Sequence, residues 1–276
     1  MGLMRWRLDI SYDGTAFSGW AAQPGRRTVQ GELEGWLARI LRLAEPAPLT
    51  CAGRTDAGVH ARDQVAHLDL PDDLPVDAND LIRRLARVLP DDLAVRRIAA
   101  APDGFDARFS AIWRRYVYRL ADSLCEPDPL LRNQIAAVRT PLDIQAMNTV
   151  AAGLLGLHDF AAFCRPRAGA TTVRTLLELA VARGQNAVEV TVRADAFCHS
   201  MVRSLVGALV AVGSGRRDQA WLESIAAAAV RDPSVTVLPA RGLTLEEVGY
   251  PPDRQLGERA EQARTRRELA VDAGRA

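Results

Sequence analysis

The chain has 276 residues, of which 48% are hydrophobic and 25% are charged, a composition typical of globular proteins and unlike that of disordered ones. This length allows one large domain or two ordinary ones. Arginine or acidic residues interrupt every apolar run before it could span a membrane, and the N-terminus alternates instead of forming a signal peptide. We therefore expect a soluble cytoplasmic protein with no membrane contact.

The charge is balanced, but it is carried in an unusual way. All 35 basic residues are arginine, against 34 acidic residues, which leaves a net charge of +1. Arginine pairs with phosphate through two hydrogen bonds and stacks on bases, so this set of side chains suits RNA. A GC-rich coding genome would raise arginine and alanine together without any RNA binding. Composition alone does not decide between these interpretations.

The four cysteines, at positions 51, 125, 164 and 198, are scattered and show no C-x-x-C spacing. This distribution predicts reduced, mostly buried thiols. Only Cys198 and His199 are neighbours, which is too few ligands to close a tetrahedral zinc site locally. We therefore predict no metal ion.

The first part of the chain, residues 1–106, predicts an α+β unit. Residues 5–12 alternate strictly between apolar and polar side chains, which is typical of a strand with one buried face. Thr28 can cap a helix whose apolar residues follow helical spacing. The remaining patterns predict a helix and two strands, at 79–88, 64–70 and 93–99.

A second unit of similar kind is predicted for residues 107–252. Its patterns indicate a strand, a helix, two paired strands and a buried helix, at 111–120, 143–155, 173–182, 187–193 and 200–212. Residues 253–276 are charged and free of aromatic side chains, which predicts a disordered tail or a frayed helix. The predicted fold class is α+β, with two similar sheet-and-helix halves flanking a central cleft.

Residues 51–61, Cys-Ala-Gly-Arg-Thr-Asp-Ala-Gly-Val-His-Ala, carry the main chemical signal. They place Asp56 two residues after Arg54, between Gly53 and Gly58, which allow tight or left-handed turns. Such a loop can present one acid to a substrate, and Arg54 would favour its ionised form. An ion pair that only braces a turn would explain the same residues. Motifs for phosphate loops, dinucleotides, zinc proteases and serine hydrolases are absent from the sequence, so we predict no cofactor.

The same eleven residues closely resemble the catalytic signature of the tRNA pseudouridine synthase A (TruA) family. The likeness runs from about residue 5 to residue 250 and continues in order through further short motifs. These are Tyr-Asp-Gly at 12–14, Gly-Trp at 19–20, Thr-Val-Gln at 28–30, Phe-Asp-Ala-Arg-Phe-Ser at 105–110, Arg-Arg-Tyr-Val-Tyr at 114–118, Phe-Cys-His-Ser-Met-Val-Arg at 197–203 and Gly-Leu at 242–243.

The resemblance implies a pseudouridine synthase-like fold and an isomerase that converts uridine to pseudouridine in tRNA. Its targets would be positions 38, 39 and 40 of the anticodon stem and loop. Asp56 would be the catalytic nucleophile, attacking either ribose C1′ or base C6. The family also implies a homodimer that clamps the anticodon arm of tRNA, and a reaction without metal or cofactor.

Four further residues are assigned to substrate binding, and the same resemblance implies the roles of three of them, Tyr116, Leu243 and Arg203. Tyr116 would stack on the uracil, and Leu243 would pack under the target base. Arg203 would be the basic partner of the catalytic acid, although Asp195 is an alternative anion for it. Arg54 would order the loop or contact a phosphate.

His60 is interpreted as a hydrogen-bonded structural or RNA-contacting side chain and not as a general base. Two other classes of function are compatible with the pattern. One is a non-catalytic protein that binds or folds RNA. The other is a different Asp-dependent enzyme acting at ribose, such as a nucleoside hydrolase or a glycosyl transferase.

Overall fold

The computed structural model describes residues 2–126, 128–167 and 169–264. Within these residues the strands are β1 (Leu3–Tyr12), β2 (Thr50–Cys51), β3 (His60–Pro71), β4 (Leu93–Ala100), β5 (Trp113–Ala121), β6 (Ala136–Ala137), β7 (Gly156–Asp159), β8 (Val173–Arg183), β9 (Val188–Ala194) and β10 (Leu243–Gly249). The helices are α1 (Val29–Leu41), α2 (Ala78–Val88), α3 (Ile144–Ala152), α4 (Met201–Gly213), α5 (Gln219–Ala228) and α6 (Leu256–Arg264).

The described chain divides into two compact units. The first combines residues 2–114 with Thr244–Arg264, and the second is Arg115–Leu243. The division therefore departs from the boundary at 106 and from the assignment of residues up to 252 to the second unit. The physical reason is that β10 pairs in parallel with β3, with Thr244 opposite His60, and so returns to the first unit.

The first unit is built on a sheet with the strand order β4-β1-β3-β10, and β2 also pairs with β3. β1 is antiparallel to both β3 and β4. Its alternation buries Trp6, Leu8, Ile10 and Tyr12, as predicted. The predicted helix after Thr28 is confirmed as α1, where the Thr28 Oγ1 accepts a hydrogen bond from the Gly31 N–H at 3.2 Å.

His67 lies on β3 and is buried among charged neighbours. Its Nδ1 accepts a hydrogen bond from the Ala107 N–H at 3.0 Å, while Arg5 and Asp69 form a two-pronged ion pair nearby, at 2.7 Å for each contact. Burial lowers the pKa of His67, and the charge of Arg5 lowers it further, against the opposing effects of Asp106 and Asp69. The imidazole is therefore held in its neutral form.

A pH dependence of stability follows from His67. A lowered pKa means that the unfolded chain binds the proton more tightly, so stability is fully present above about pH 6.5 and falls as the pH drops further. The loss should reach at most about 1.4 kcal/mol per pH unit. Urea unfolding between pH 7.5 and 5 should show this slope. The variant His67→Asn keeps an acceptor for the Ala107 N–H but does not titrate. If the free energy of unfolding of this variant depended on pH as in wild type, His67 would not be the cause of the pH dependence.

The second unit has the strand order β5-β9-β8-β7, with β6 parallel to β5. β8 and β9 form the predicted pair, which is antiparallel, and Val188, Val190 and Val192 of β9 are fully buried. The apolar segment after residue 200 is confirmed as the buried helix α4.

A buried ion pair ties the end of β5 to the end of β8 in the second unit. The Asp122 carboxylate, whose side chain is 0% exposed, accepts hydrogen bonds from Arg183 at 2.9 and 2.7 Å. It also accepts the Leu142 N–H at 2.9 Å and the Leu124 N–H at 3.1 Å. These bonds hold the pKa of Asp122 well below its usual range, with the Arg183 hydrogen bond as the largest cause and burial opposing it.

The prediction of reduced thiols is wrong for two of the four cysteines. Cys164 and Cys198 form a disulfide, with Cα atoms 5.7 Å apart, whereas Cys51 and Cys125 are free. The segments that carry the pair are also joined by the Arg165 N–H, which donates to the His199 carbonyl at 2.9 Å. Tertiary folding thus brings together residues that are 34 positions apart.

The described part of the predicted tail is ordered as α6, in which Leu256 and Ala260 are buried. Gly104, at φ +74°, lets this helix approach closely, because a Cβ there would lie 2.9 Å from the Gly257 Cα. Ser110 Oγ also donates to the Leu256 carbonyl at 3.0 Å. Residues 265–276 lie outside the described part of the chain. Among the described helices, none combines the length and the hydropathy that crossing a membrane requires.

Candidate functional site

Residues 52–59, here called the Asp56 loop, connect β2 to β3 in the first unit. Asp56 is half-buried and Arg54 is exposed. Backbone hydrogen bonds fix the loop on both sides of Asp56: the Trp20 N–H donates to the Thr55 carbonyl at 3.0 Å, and the Gly58 N–H donates to the Phe17 carbonyl at 3.3 Å. The acid therefore projects from a constrained turn.

Two glycines make this constraint possible. Gly58 has φ +78°, in the left-handed region that the sequence predicted for it. Gly19 has φ +92°, and a Cβ there would lie 2.9 Å from the Thr55 carbonyl oxygen. Gly53 does not adopt a positive φ and has open space around it, so of the two glycines in the motif only Gly58 uses the left-handed region. The Asp56 loop is thus supported by the close approach of the Gly19 backbone and by the left-handed conformation of Gly58, and not by Gly53.

Buried polar side chains surround the base of the loop. Tyr12 and Thr55 share a hydrogen bond of 2.8 Å between their hydroxyl oxygens. Gln64 Nε2 donates to the Gly53 carbonyl at 2.8 Å. His60 is buried, and its Nδ1 accepts the Gly14 N–H at 3.0 Å, which fits the structural role predicted for it.

Cys51 is a second potential nucleophile close to Asp56 in sequence, but its chemistry argues against that role. Burial raises the pKa of the Cys51 thiol to about 12, although the charge of Arg54 opposes this shift. A thiol acts as a nucleophile through its thiolate, which is therefore scarce at neutral pH. The carboxylate of Asp56 is the better nucleophile of the two.

The other predicted site residues lie in the second unit. Tyr116 is buried on β5, and its ring meets Phe197 edge-on with centroids 5.1 Å apart. Arg203 lies in the first turn of α4, where its Nε donates to the Leu238 carbonyl at 2.6 Å. Leu243 is buried at the start of β10. Gly242 before it is required by packing, because a Cβ there would lie 2.6 Å from the Tyr118 ring.

The structure thus brings Arg54 and Asp56 together in one loop of the first unit. Tyr116, Arg203 and Leu243 belong to the second unit. Asp195, the alternative anion for Arg203, uses its Oδ1 to accept the N–H groups of Thr175 at 3.1 Å and Ala196 at 2.7 Å.

Sequence reasoning missed two contributors to the site. Gln64 lies in a strand pattern that indicates no particular role for its amide. Thr55 belongs to the motif at 51–61, but the motif does not indicate a role for its hydroxyl. Within residues 2–126, 128–167 and 169–264, no cluster of three or more His, Cys, Asp or Glu side chains could hold a metal ion.

Comparison with known proteins gives consistent matches. The model of a family described as tRNA pseudouridine synthase matches residues 150–251. A tRNA pseudouridine synthase A from Cutibacterium acnes is 63% identical over 96% of this chain and 95% of its own. Proteins of the same name from Streptomyces avermitilis and Frankia casuarinae are 56% and 58% identical, over 97% and 95% of this chain and 95% of each of theirs.

Proposed function

Because the chain belongs to the tRNA pseudouridine synthase A family and is therefore an isomerase acting on tRNA, we propose that Asp56 is its nucleophile and that its targets are uridines 38, 39 and 40 of the anticodon stem and loop. The observation that carries the proposal is the half-buried Asp56 in a loop held by Trp20 and Phe17. The agreement of residues 51–61 with the family signature supports the same role.

In the proposed reaction the target nucleotide leaves its stack so that Asp56 can reach it, at a cost of about a few kcal/mol. The Asp56 carboxylate attacks ribose C1′ or base C6, and the bond between C1′ and N1 breaks. The uracil rotates and forms a new bond between C5 and C1′. C5 then loses its proton, N1 gains one, and the carboxylate is released, so the atoms of the nucleoside are conserved.

The remaining predicted residues receive roles in binding. Tyr116 stacks on the uracil, supported by its edge-on contact with Phe197. Leu243 packs under the base. Arg203 is the cationic partner of the catalytic acid, and Arg54, which is exposed, contacts phosphate.

The proposal includes a cytoplasmic homodimer that holds the anticodon arm of tRNA and uses no metal ion or cofactor. The dimer can be tested directly. Size-exclusion chromatography with light scattering should give about twice the 30.0 kDa mass of the chain. A monomer that retains full activity would remove the dimer from the proposal.

Transcript tRNA carrying tritium at uracil C5 tests the reaction itself. We expect the protein to release the label in the presence of a chelator and without added nucleotide, because formation of the new bond expels the C5 proton. A transcript with cytidine at positions 38, 39 and 40 is the matched control and should release none from that region. Accumulation of free uracil would instead indicate a hydrolase, and absence of release would reject the proposal.

A further inference from the structure

Three buried side chains from different parts of the first unit form a hydrogen-bonded chain that ends next to Asp56. Tyr12 comes from the end of β1, Gln64 from β3 and Thr55 from the Asp56 loop; they are 5%, 0% and 7% exposed. Tyr12 and Thr55 are joined at 2.8 Å between hydroxyl oxygens. Gln64 Nε2 reaches the Tyr12 hydroxyl at 3.4 Å and the Gly53 carbonyl at 2.8 Å.

The direction of donation from Gln64 follows from its acceptors. The Gly53 carbonyl can only accept, so the Gln64 amide must present its N–H₂ group to it, and the same group donates to the Tyr12 oxygen. Burial raises the pKa of Tyr12 far above its usual value, so the phenol keeps its proton. The hydrogen bond between the Tyr12 and Thr55 hydroxyls can be donated from either oxygen, and in both cases it joins the end of β1 to the Asp56 loop.

The chain fixes the residue before the nucleophile from two directions. The Thr55 side chain is held by Tyr12, and the Thr55 carbonyl is held by the Trp20 N–H at 3.0 Å. Gln64 holds Gly53 two residues earlier. With these groups in place, the backbone leading into Asp56 has little freedom to rotate.

We propose that Tyr12, Thr55 and Gln64 are positioning residues that set the direction of the Asp56 carboxylate. The proposal rests on the nucleophilic role of Asp56 proposed above. A misplacement of about 1 Å at a reacting group costs on the order of 10²-fold in rate, so loss of the Tyr12–Thr55 bond should lower kcat without altering the surface that binds tRNA.

The test uses Thr55→Val, which keeps the shape of the side chain but lacks the hydroxyl, and Thr55→Ser, which keeps the hydroxyl. In single-turnover tritium release, Thr55→Val should lower the rate constant about 10-fold to 100-fold, with the Kd for tRNA within about twofold of wild type. Thr55→Ser should restore the rate. Tyr12→Phe should match Thr55→Val, and the double variant should be no slower than either, because both changes remove the same Tyr12–Thr55 hydrogen bond.

Tyr250→Phe is the matched control. The Tyr250 hydroxyl donates to the Ala107 carbonyl at 2.7 Å in the same unit, so this variant loses a comparable hydrogen bond away from the loop. It should lower thermal stability as Tyr12→Phe does while keeping the rate. The inference would be overturned if folded Tyr12→Phe released tritium at the wild-type rate. It would also be overturned if the losses of rate in the two single variants multiplied in the double variant, or if Tyr250→Phe lost as much rate as Tyr12→Phe. The proposed function is tested separately, because tritium release by wild type but not by Asp56→Asn would support it whatever the rates of these positioning variants.

Discussion

Asp56→Asn is expected to abolish tritium release from tRNA while leaving tRNA binding intact. The amide is nearly the same size as the carboxylate, so the loop held by Trp20 and Phe17 should keep its conformation. It lacks the negative charge and nucleophilic oxygen that the reaction needs. Loss of a nucleophile in other enzymes costs several powers of ten, and we expect at least about a 10³-fold fall in the rate constant.

Asp91→Asn provides the comparison for this variant, because it makes the same chemical change at an exposed position of the first unit. It should keep wild-type release, which separates loss of charge in general from loss of this carboxylate. Binding is measured by filter retention of labelled tRNA, and the Kd of Asp56→Asn should stay within about threefold of wild type. Activity of Asp56→Asn within tenfold of wild type would remove Asp56 from its proposed role.

Asp122→Ala is expected to cause a large loss of stability in the second unit. It would leave the Arg183 guanidinium without its carboxylate and the Leu142 and Leu124 N–H groups without their acceptor. Removing one partner of a buried ion pair typically costs about 3 to 5 kcal/mol. Urea unfolding followed by circular dichroism measures the difference.

Acid should reproduce part of this effect in the wild-type protein. Since the Arg183 hydrogen bond lowers the pKa of Asp122, the contribution of the Asp122 carboxylate to the free energy of unfolding is present above about pH 4. It is lost as the pH falls towards the folded-state pKa.

Glu178→Ala is the control for Asp122→Ala. It removes a half-exposed ion pair with Arg193 and should cost less than about 1 kcal/mol. Equal losses in Asp122→Ala and Glu178→Ala would show that burial of Asp122 adds nothing.

The elements that local sequence pattern specifies were predicted well. β1 was evident from its strict alternation, α1 from the Thr28 cap, and the pair β8 and β9 from the turn-forming residues 183–186 between two apolar runs. In each case the signal and the structure lie within one continuous stretch of the chain. Short-range backbone preferences and the spacing of apolar side chains therefore sufficed.

Elements that depend on distant partners were not found in this way. β10 owes its place to pairing with β3 far earlier in the chain, which no local pattern encodes. α6 was predicted only as a disordered tail or a frayed helix, because only Leu256 and Ala260 of this segment are buried. α5 is rich in alanine, and its buried residues Leu222 and Ile225 are too few to produce a clear apolar stripe.

For the candidate site, the family motifs indicated Asp56, Tyr116, Arg203 and Leu243, and the structure places each of them in a defined environment. What supports Asp56 was less accessible to sequence reasoning. Gln64 lies in β3 between residues that read as an ordinary strand, and its bonds to Gly53 and Tyr12 exist only in the folded unit. The pairing of Cys164 with Cys198 likewise depends on tertiary structure.

The interruption of the first unit by the second has a consequence for biosynthesis. A ribosome makes the chain from its N-terminus, so the whole of Arg115–Leu243 is synthesised before Thr244 is added and can pair with His60. The inserted unit is continuous and can fold while translation proceeds. The strand that flanks the end of the Asp56 loop arrives afterwards, which makes completion of the first unit a late event in the maturation of each newly made molecule.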